Sequence, residues 1–165
     1  YAIIRPTVIF GKEDILINNI AYLLRRFPLF IIPGKGNYKI QPIFVEDLAN
    51  LVVETMNESN NITIDAVGPE TYTFRDLILE ICTAIHKYPT ILHSPPWAIY
   101  IFSKLFSLYL NDILLTKNEI HGLMNNLLIS HEPPLGKTSF RQWVRQNHDT
   151  LGTHYASELA HHYQR

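Results

Sequence analysis

From residue 1 to residue 88 the chain alternates short runs of Ile, Val and Phe with longer amphipathic segments. That alternation confines it to a mixed α/β architecture. The first run, YAIIRPTVIF over 1–10, reads as a buried strand interrupted at Arg5-Pro6. Proline has no N–H to give a sheet ladder, so strand pairing must change at Pro6.

Over 13–27, Ile15, Asn19, Tyr22, Leu23 and Arg26 fall at helical spacing, with acids in the opening turn and Arg25-Arg26 at the close. Pro28 stops this helix. A strand over 29–32 meets the turn Pro33-Gly34-Lys35-Gly36-Asn37, read as a hairpin with Lys35 at its tip, and a strand over 38–45 follows. A second helix is expected over 46–58, with Asp47 near its positive end and Leu48, Leu51, Val52 and Thr55 on one stripe. The run 62–67 reads as a strand ending at Gly68-Pro69. Thr73 is a good N-cap for a third helix over 74–88, whose apolar face is Leu77, Ile78, Ile81, Cys82 and Ile85. A short extended run over 90–93 leads to helices expected at 96–110, 117–125 and 139–162.

A chain of 165 residues, 47% of them hydrophobic, buries enough surface to hold a core without disulfides or metal. Its 14 basic and 15 acidic side chains leave a formal charge of −1, which argues against nucleic acid as its main partner. Cys82 is the single cysteine, so there is no disulfide framework and a reducing compartment is expected. The longest apolar stretch, 95–110, is broken by Ser103, Lys104 and Ser107. It falls short of the roughly 20 residues that span a bilayer, so no transmembrane segment is expected. The chain starts at Tyr1, in an apolar run with no initiator methionine and no basic leader. A piece of a longer protein is therefore expected.

Few residues carry recognisable chemistry by themselves. Tyr100 and Lys104 share a helix face, the spacing at which a lysine assists proton transfer by a tyrosine. They stand in an apolar helix after Pro95-Pro96, where both side chains serve better at the edge of a core with their tips in water. His148, His154, His161 and His162 crowd the C-terminal region without a zinc-ligand spacing and read as a solvated helix face. No serine stands in G-x-S-x-G, and Cys82 on an apolar stripe reads as an inert buried thiol. The glycine turn at 33–37 precedes a strand rather than a helix, so it is not a phosphate loop. Three breaks remain, at Arg5-Pro6-Thr7, Gln41-Pro42 and Gly68-Pro69-Glu70, each beside an apolar strand. Open α/β sheets bind ligands outside their strand ends, so a site is expected among these breaks.

Three motifs in order give a family resemblance: RPTVIFG at 5–11, IFVEDLA at 43–49 and VGPETYTFRDL at 67–77. They resemble the second half of the extended or atypical short-chain dehydrogenases/reductases, the NAD-dependent epimerase/dehydratase-like proteins. Within that group the chain looks most like the atypical branch containing the nucleotide-binding accessory subunit of respiratory complex I and its bacterial relatives. The resemblance covers residues 1 to about 92 and continues loosely at Leu115-Thr116 and the terminal helices. It implies an α/β fold: the C-terminal part of a Rossmann-type NAD(P)-binding fold plus a small, mostly helical substrate-side lobe. Residues 1–92 would hold the last strands and helices of the Rossmann-like sheet with part of the substrate lobe, and 93–165 the helical substrate-side region.

The same resemblance assigns Pro6, Thr7 and Val8 to the loop beside the nicotinamide, and Phe10, Gly11, Gln41 and Pro42 to the substrate pocket. Where sugar-nucleotide epimerases carry R-D-F to grip a diphosphate, this chain has Gln41-Pro42-Ile43. The family's G-x-x-G-x-x-G phosphate loop is absent from the 165 residues, and Tyr100/Lys104 does not correspond to its catalytic pair. NAD or NADP is therefore the cofactor expected of the full-length protein, with no binding by this chain alone. Two readings follow: the substrate-side fragment of an NAD(P)-dependent epimerase or reductase, inactive alone, or a non-catalytic dinucleotide-binding accessory or assembly protein. A third, a free-standing domain, carries the expectation of a homo-oligomer through residues 2–10. The expected partner is the N-terminal half of its own chain, and the expected compartment is a bacterial cytosol, with the mitochondrial matrix as the alternative.

Overall fold

The structure, a computed structural model, describes residues 1–56, 60–95, 97–98, 101 and 122–157. Strands β1 (Ala2–Pro6) and β2 (Ile9–Phe10) lead into helix α1 (Leu16–Arg26) and β3 (Leu29–Pro33). Next come β4 (Lys39–Ile40), β5 (Ile43–Phe44), α2 (Val45–Thr55) and β6 (Ile62–Ala66). Strand β7 (Tyr72–Thr73), α3 (Phe74–Ala84), β8 (Thr90–Ser94) and α4 (Phe140–Gln146) complete the described elements. The helices expected over 96–110 and most of 117–125, with Tyr100, Lys104, Leu115 and Thr116, lie outside the described residues, as do His161 and His162.

Pro6 acts as the sequence requires. Strand β1 runs parallel to β6 from Ala2 opposite Ile62 to Pro6 opposite Ala66. Beyond the proline the chain changes neighbour, and β2 pairs in parallel with β5 through Ile9–Ile43 and Phe10–Phe44. The expectation of burial fails for β1, where Ile3 is 47% exposed. Parallel strands are usually covered on both faces, and the described elements leave this ribbon largely open.

The hairpin expected at 33–37 is not formed. Gly34 and Gly36 both take positive φ in the turn after β3. Strand β3 instead runs parallel to the distant β8, and β4 pairs antiparallel with β7. The strand expected over 38–45 is split in two by Gln41-Pro42.

Helix ends show where side chains override periodicity. The first turn of α1 holds no acid. Instead Asp14, just outside it, accepts hydrogen bonds from the N–H groups of Leu16, Ile17 and Asn18 at 3.1, 2.8 and 3.3 Å. Burial lifts the Asp14 carboxyl from 3.8 to about 6 against the pull of those three bonds. A carboxyl raised in this way contributes stability below its unfolded-state value and loses it as pH rises through about 6. Asp14→Asn, which keeps an acceptor and cannot ionise, is expected to flatten the fall in stability between pH 4 and 6. Asp14→Ala loses the cap together with the titration, so it should cost about 1 kcal/mol or more at low pH and progressively less as pH rises through about 6. Urea titrations across that range check both, and an unchanged profile for Asp14→Asn would contradict the assignment.

Helix α3 opens on a reciprocal cap: the Thr73 oxygen accepts from the Asp76 N–H at 3.1 Å, and its hydroxyl donates to the Asp76 carboxylate at 2.7 Å. It closes earlier than expected because His86 sits at φ 54°. The N–H groups of Lys87 and His86 turn back to the carbonyls of Cys82 and Thr83, an end motif normally built on glycine. Helix α4, expected to reach residue 162, stops at Gln146. The following segment lies along α1, where Asn18 bonds the backbone of Gly152 and His154, and Asn19 that of Ala156. Gly152 has φ 71°, and a Cβ there would stand 2.5 Å from the α1 backbone.

One core joins these elements. It comprises Val8 and Phe10, the inner faces of α1 and α3, and Phe140, Trp143, Val144 and Leu151. Residues beyond 92 thus share the core of those before it. Leu77, Ile78 and Ile81 are fully buried, each contributing about 1.5–3 kcal/mol of transfer free energy. Burial pushes the Cys82 thiol up to about 11, consistent with an inert core residue. Helix α2 packs less completely. Leu48, Leu51 and Thr55 are half-buried, while Val52, expected on the same stripe, is exposed with Val53 and Met56. Among the described residues no helix is long and apolar enough to cross a membrane.

Candidate functional site

The two longer parallel pairs give the structure a polarity, and the polar groups gather at the carboxyl ends of β1 and β6. Arg5 and Asp65 are register partners there, and the Arg5 Nε meets Asp65 Oδ1 at 2.6 Å. The Ser130 hydroxyl donates to Asp65 Oδ2 at 2.6 Å and itself accepts from the Glu132 N–H. These partners, Ser130 foremost, hold the Asp65 carboxyl below its ordinary value despite partial desolvation.

Gln41 ties the strand ends together. It is the one polar residue buried in the described core region, only 6% exposed. Its Nε2 donates to the Gly68 carbonyl at 2.9 Å, and its Oε1 accepts from the Ser130 N–H at 3.2 Å. The Gln41 N–H donates to the Leu128 carbonyl, and its own carbonyl accepts the Thr7 hydroxyl. Both amide groups of a buried glutamine must be paired, and here they are. The contact demands a glycine at 68, since a Cβ there would fall 2.0 Å from the Pro42 carbonyl oxygen.

Residues 127–138 pack back over these strand ends. Leu135 and Gly136 donate N–H groups to the Val67 carbonyl, and Lys137 and Thr138 donate to Asp47 at the start of α2. Between this segment and the strand ends lies a cleft of about 230 Å³, lined by Arg5, Pro6, Thr7, Asp65, Leu127, Ile129 and Ser130. A wider one of about 630 Å³ adjoins it across Leu127 and Ile129, with Asn37, Lys39, Asn125, Asn126 and His131 on its walls. Among the described residues no group of three or more His, Cys, Asp or Glu is arranged to hold a metal ion.

Of the residues singled out by sequence, Pro6 and Thr7 line the smaller cleft, and Thr7 bonds directly to Gln41. Gln41 and Pro42 lie buried beneath it, and Val8 is a core residue whose carbonyl accepts the Ile43 N–H. Phe10 has no exposed surface, and buried Gly11 packs on Val45, so neither reaches either cleft. Asp65 and Ser130 were not anticipated. A lone acid in the apolar strand ITIDA, paired in register with an arginine, was the available signal for Asp65.

No family model matches the chain. Over 96 residues it is 25% identical to "NADH dehydrogenase (ubiquinone) 1 alpha subcomplex subunit 9, mitochondrial" of Arabidopsis thaliana, a match covering 56% of this chain and 24% of that protein. The Dictyostelium discoideum protein of the same name is 33% identical over 84 residues, covering 47% of this chain and 23% of the relative. The chain thus spans about a quarter of the length of these curated relatives. Among solved structures, the UDP-glucuronic acid 4-epimerase of Bacillus cereus, in complex with UDP-glucuronic acid and NAD, superposes with a TM-score of 0.56. That match covers 91% of this chain and 44% of the epimerase at 14% identity, a likeness of fold. In fold the chain is part of the α/β, Rossmann-type architecture of NAD(P)-binding epimerases and reductases, and in sequence it resembles a mitochondrial NADH dehydrogenase subunit.

Proposed function

We propose that the chain forms the substrate-side wall of an NAD(P)-dependent epimerase/dehydratase- or reductase-like protein. The observation that carries this reading is the cleft at the carboxyl ends of parallel strands, where such folds take their ligands. In it Pro6 and Thr7 would face the nicotinamide, with Val8 setting the strand behind them. Gln41 and Pro42 would shape the substrate side from beneath, while Phe10 and Gly11 support that wall from the core. Residues 1–92 would supply the strand ends, and 93–165 the segment that covers them. The exposed β1 would pack against a preceding half of the same polypeptide or, without it, against a second copy.

The sequence similarity to a mitochondrial NADH dehydrogenase subunit favours a second, non-catalytic form of this reading, a dinucleotide held for structure or sensing, and a mitochondrial compartment over a bacterial cytosol.

Calorimetric titration of NADH and NADPH distinguishes these outcomes. The polypeptide of the complete reading frame is expected to bind one of them saturably, and the 165-residue chain, which has no G-x-x-G-x-x-G loop, to bind neither. Failure of the complete protein to bind, or tight binding by this chain alone, would overturn the reading. Turnover of a carbonyl substrate would select the enzyme over the accessory protein.

A further inference from the structure

We propose that the smaller cleft is an anion site in which the Arg5 guanidinium takes a carboxylate or a phosphate monoester through two parallel hydrogen bonds. Asp65 Oδ1 engages Arg5 at Nε, while Ser130 occupies Oδ2. Both carboxylate oxygens are thereby engaged, and the carboxylate works as an anchor. An arginine gripped at Nε keeps its Nη1–Nη2 edge, the edge whose geometry matches the paired oxygens of a carboxylate or phosphate. The Arg5 side chain is 62% exposed, and Asp65 is its one ion-pair partner among the described residues.

The surroundings suit one small charged group. At about 230 Å³ the cleft lies below the 300–1,000 Å³ usual for whole ligands. Leu127 and Ile129 form its apolar side. Asp65 offsets part of the arginine's charge, so recognition rests on the fork and the affinity of a bare anion is modest. This assignment stands on the cleft's geometry and goes beyond the dinucleotide reading: it gives Arg5 the anionic group of the molecule entering the cleft.

The test uses the 15N-labelled 165-residue chain without any dinucleotide, so its outcome and that of the calorimetry are independent. Inorganic phosphate and sodium acetate are titrated separately at ionic strength held constant with chloride. Saturable shifts are expected at the Arg5 Nε–Hε group and at the Thr7 and Ser130 amides. Saturation with phosphate alone identifies a phosphate group, and saturation with acetate a carboxylate. Arg5→Lys, which keeps the charge and loses the fork, should weaken binding about tenfold. Lys39→Ala in the adjoining cleft should leave it unchanged. Shifts that rise linearly in both titrations of the unaltered chain would overturn the proposal without any variant. Saturation equally strong in a folded Arg5→Lys chain would do the same.

Discussion

Replacing Phe10 with alanine is expected to destabilise the fold by about 3–5 kcal/mol, the cost of emptying a large aromatic site in a packed core. The ring has no exposed surface. Its centroid lies 5.4 Å from Phe44, 5.2 Å from Phe140 and 5.4 Å from Trp143, the last two in edge-on arrangements that aromatic pairs favour. One side chain thus joins β2, β5 and α4, elements up to 130 residues apart in the chain whose mutual packing would open together. Urea unfolding followed by circular dichroism reads the loss, and Phe10→Leu should retain more than half of what alanine removes. A loss below about 1 kcal/mol for Phe10→Ala would mean that the cluster does not hold α4 on the sheet.

Gln41→Leu is expected to cost about 2–4 kcal/mol although it adds apolar surface. Leucine can neither donate to the Gly68 carbonyl nor accept from the Ser130 N–H, and each group left buried without a partner costs about 1–3 kcal/mol. The loss is also local. Ser130 is held over the strand ends by Gln41 on one side and Asp65 on the other, so its amide should exchange hydrogen faster in the variant. The amides of α3, which touch none of these groups, should keep their order of protection. If Ser130 exchange were unchanged, Gln41 would not be what holds the covering segment in place.

These two residues show how far sequence reading reaches. The α/β class, the break at Pro6 and the presence of each helix through α3 follow from local pattern, because side-chain period and proline geometry act over a few residues. Phe10 and Gln41 were both named from the resemblance as pocket residues. Their positions in the core depend on contacts with 128–143, which no local pattern near residues 10 or 41 encodes. The exposed β1 and the lost hairpin have the same origin, since strand partners are set by non-local pairing across 60 residues. Helix ends failed for a different reason. His86 adopts a left-handed conformation that glycine usually signals, and the turn reaching Gly152 carries its glycine six residues past the end of α4. Ser130 carried no signal at all: its role exists only once the segment around it lies over Asp65.

On the proposed function, the strand-end cleft at Pro6 and Thr7 faces a bound nicotinamide. The most direct measurement is the set of nuclear Overhauser contacts from the nicotinamide ring protons in the complete protein with its dinucleotide bound. Contacts to the Thr7 methyl group and the Pro6 ring are expected, with none to residues lining only the wider cleft, such as Asn37 or His131. Bound dinucleotide whose nicotinamide protons contact neither Pro6 nor Thr7 would contradict the account.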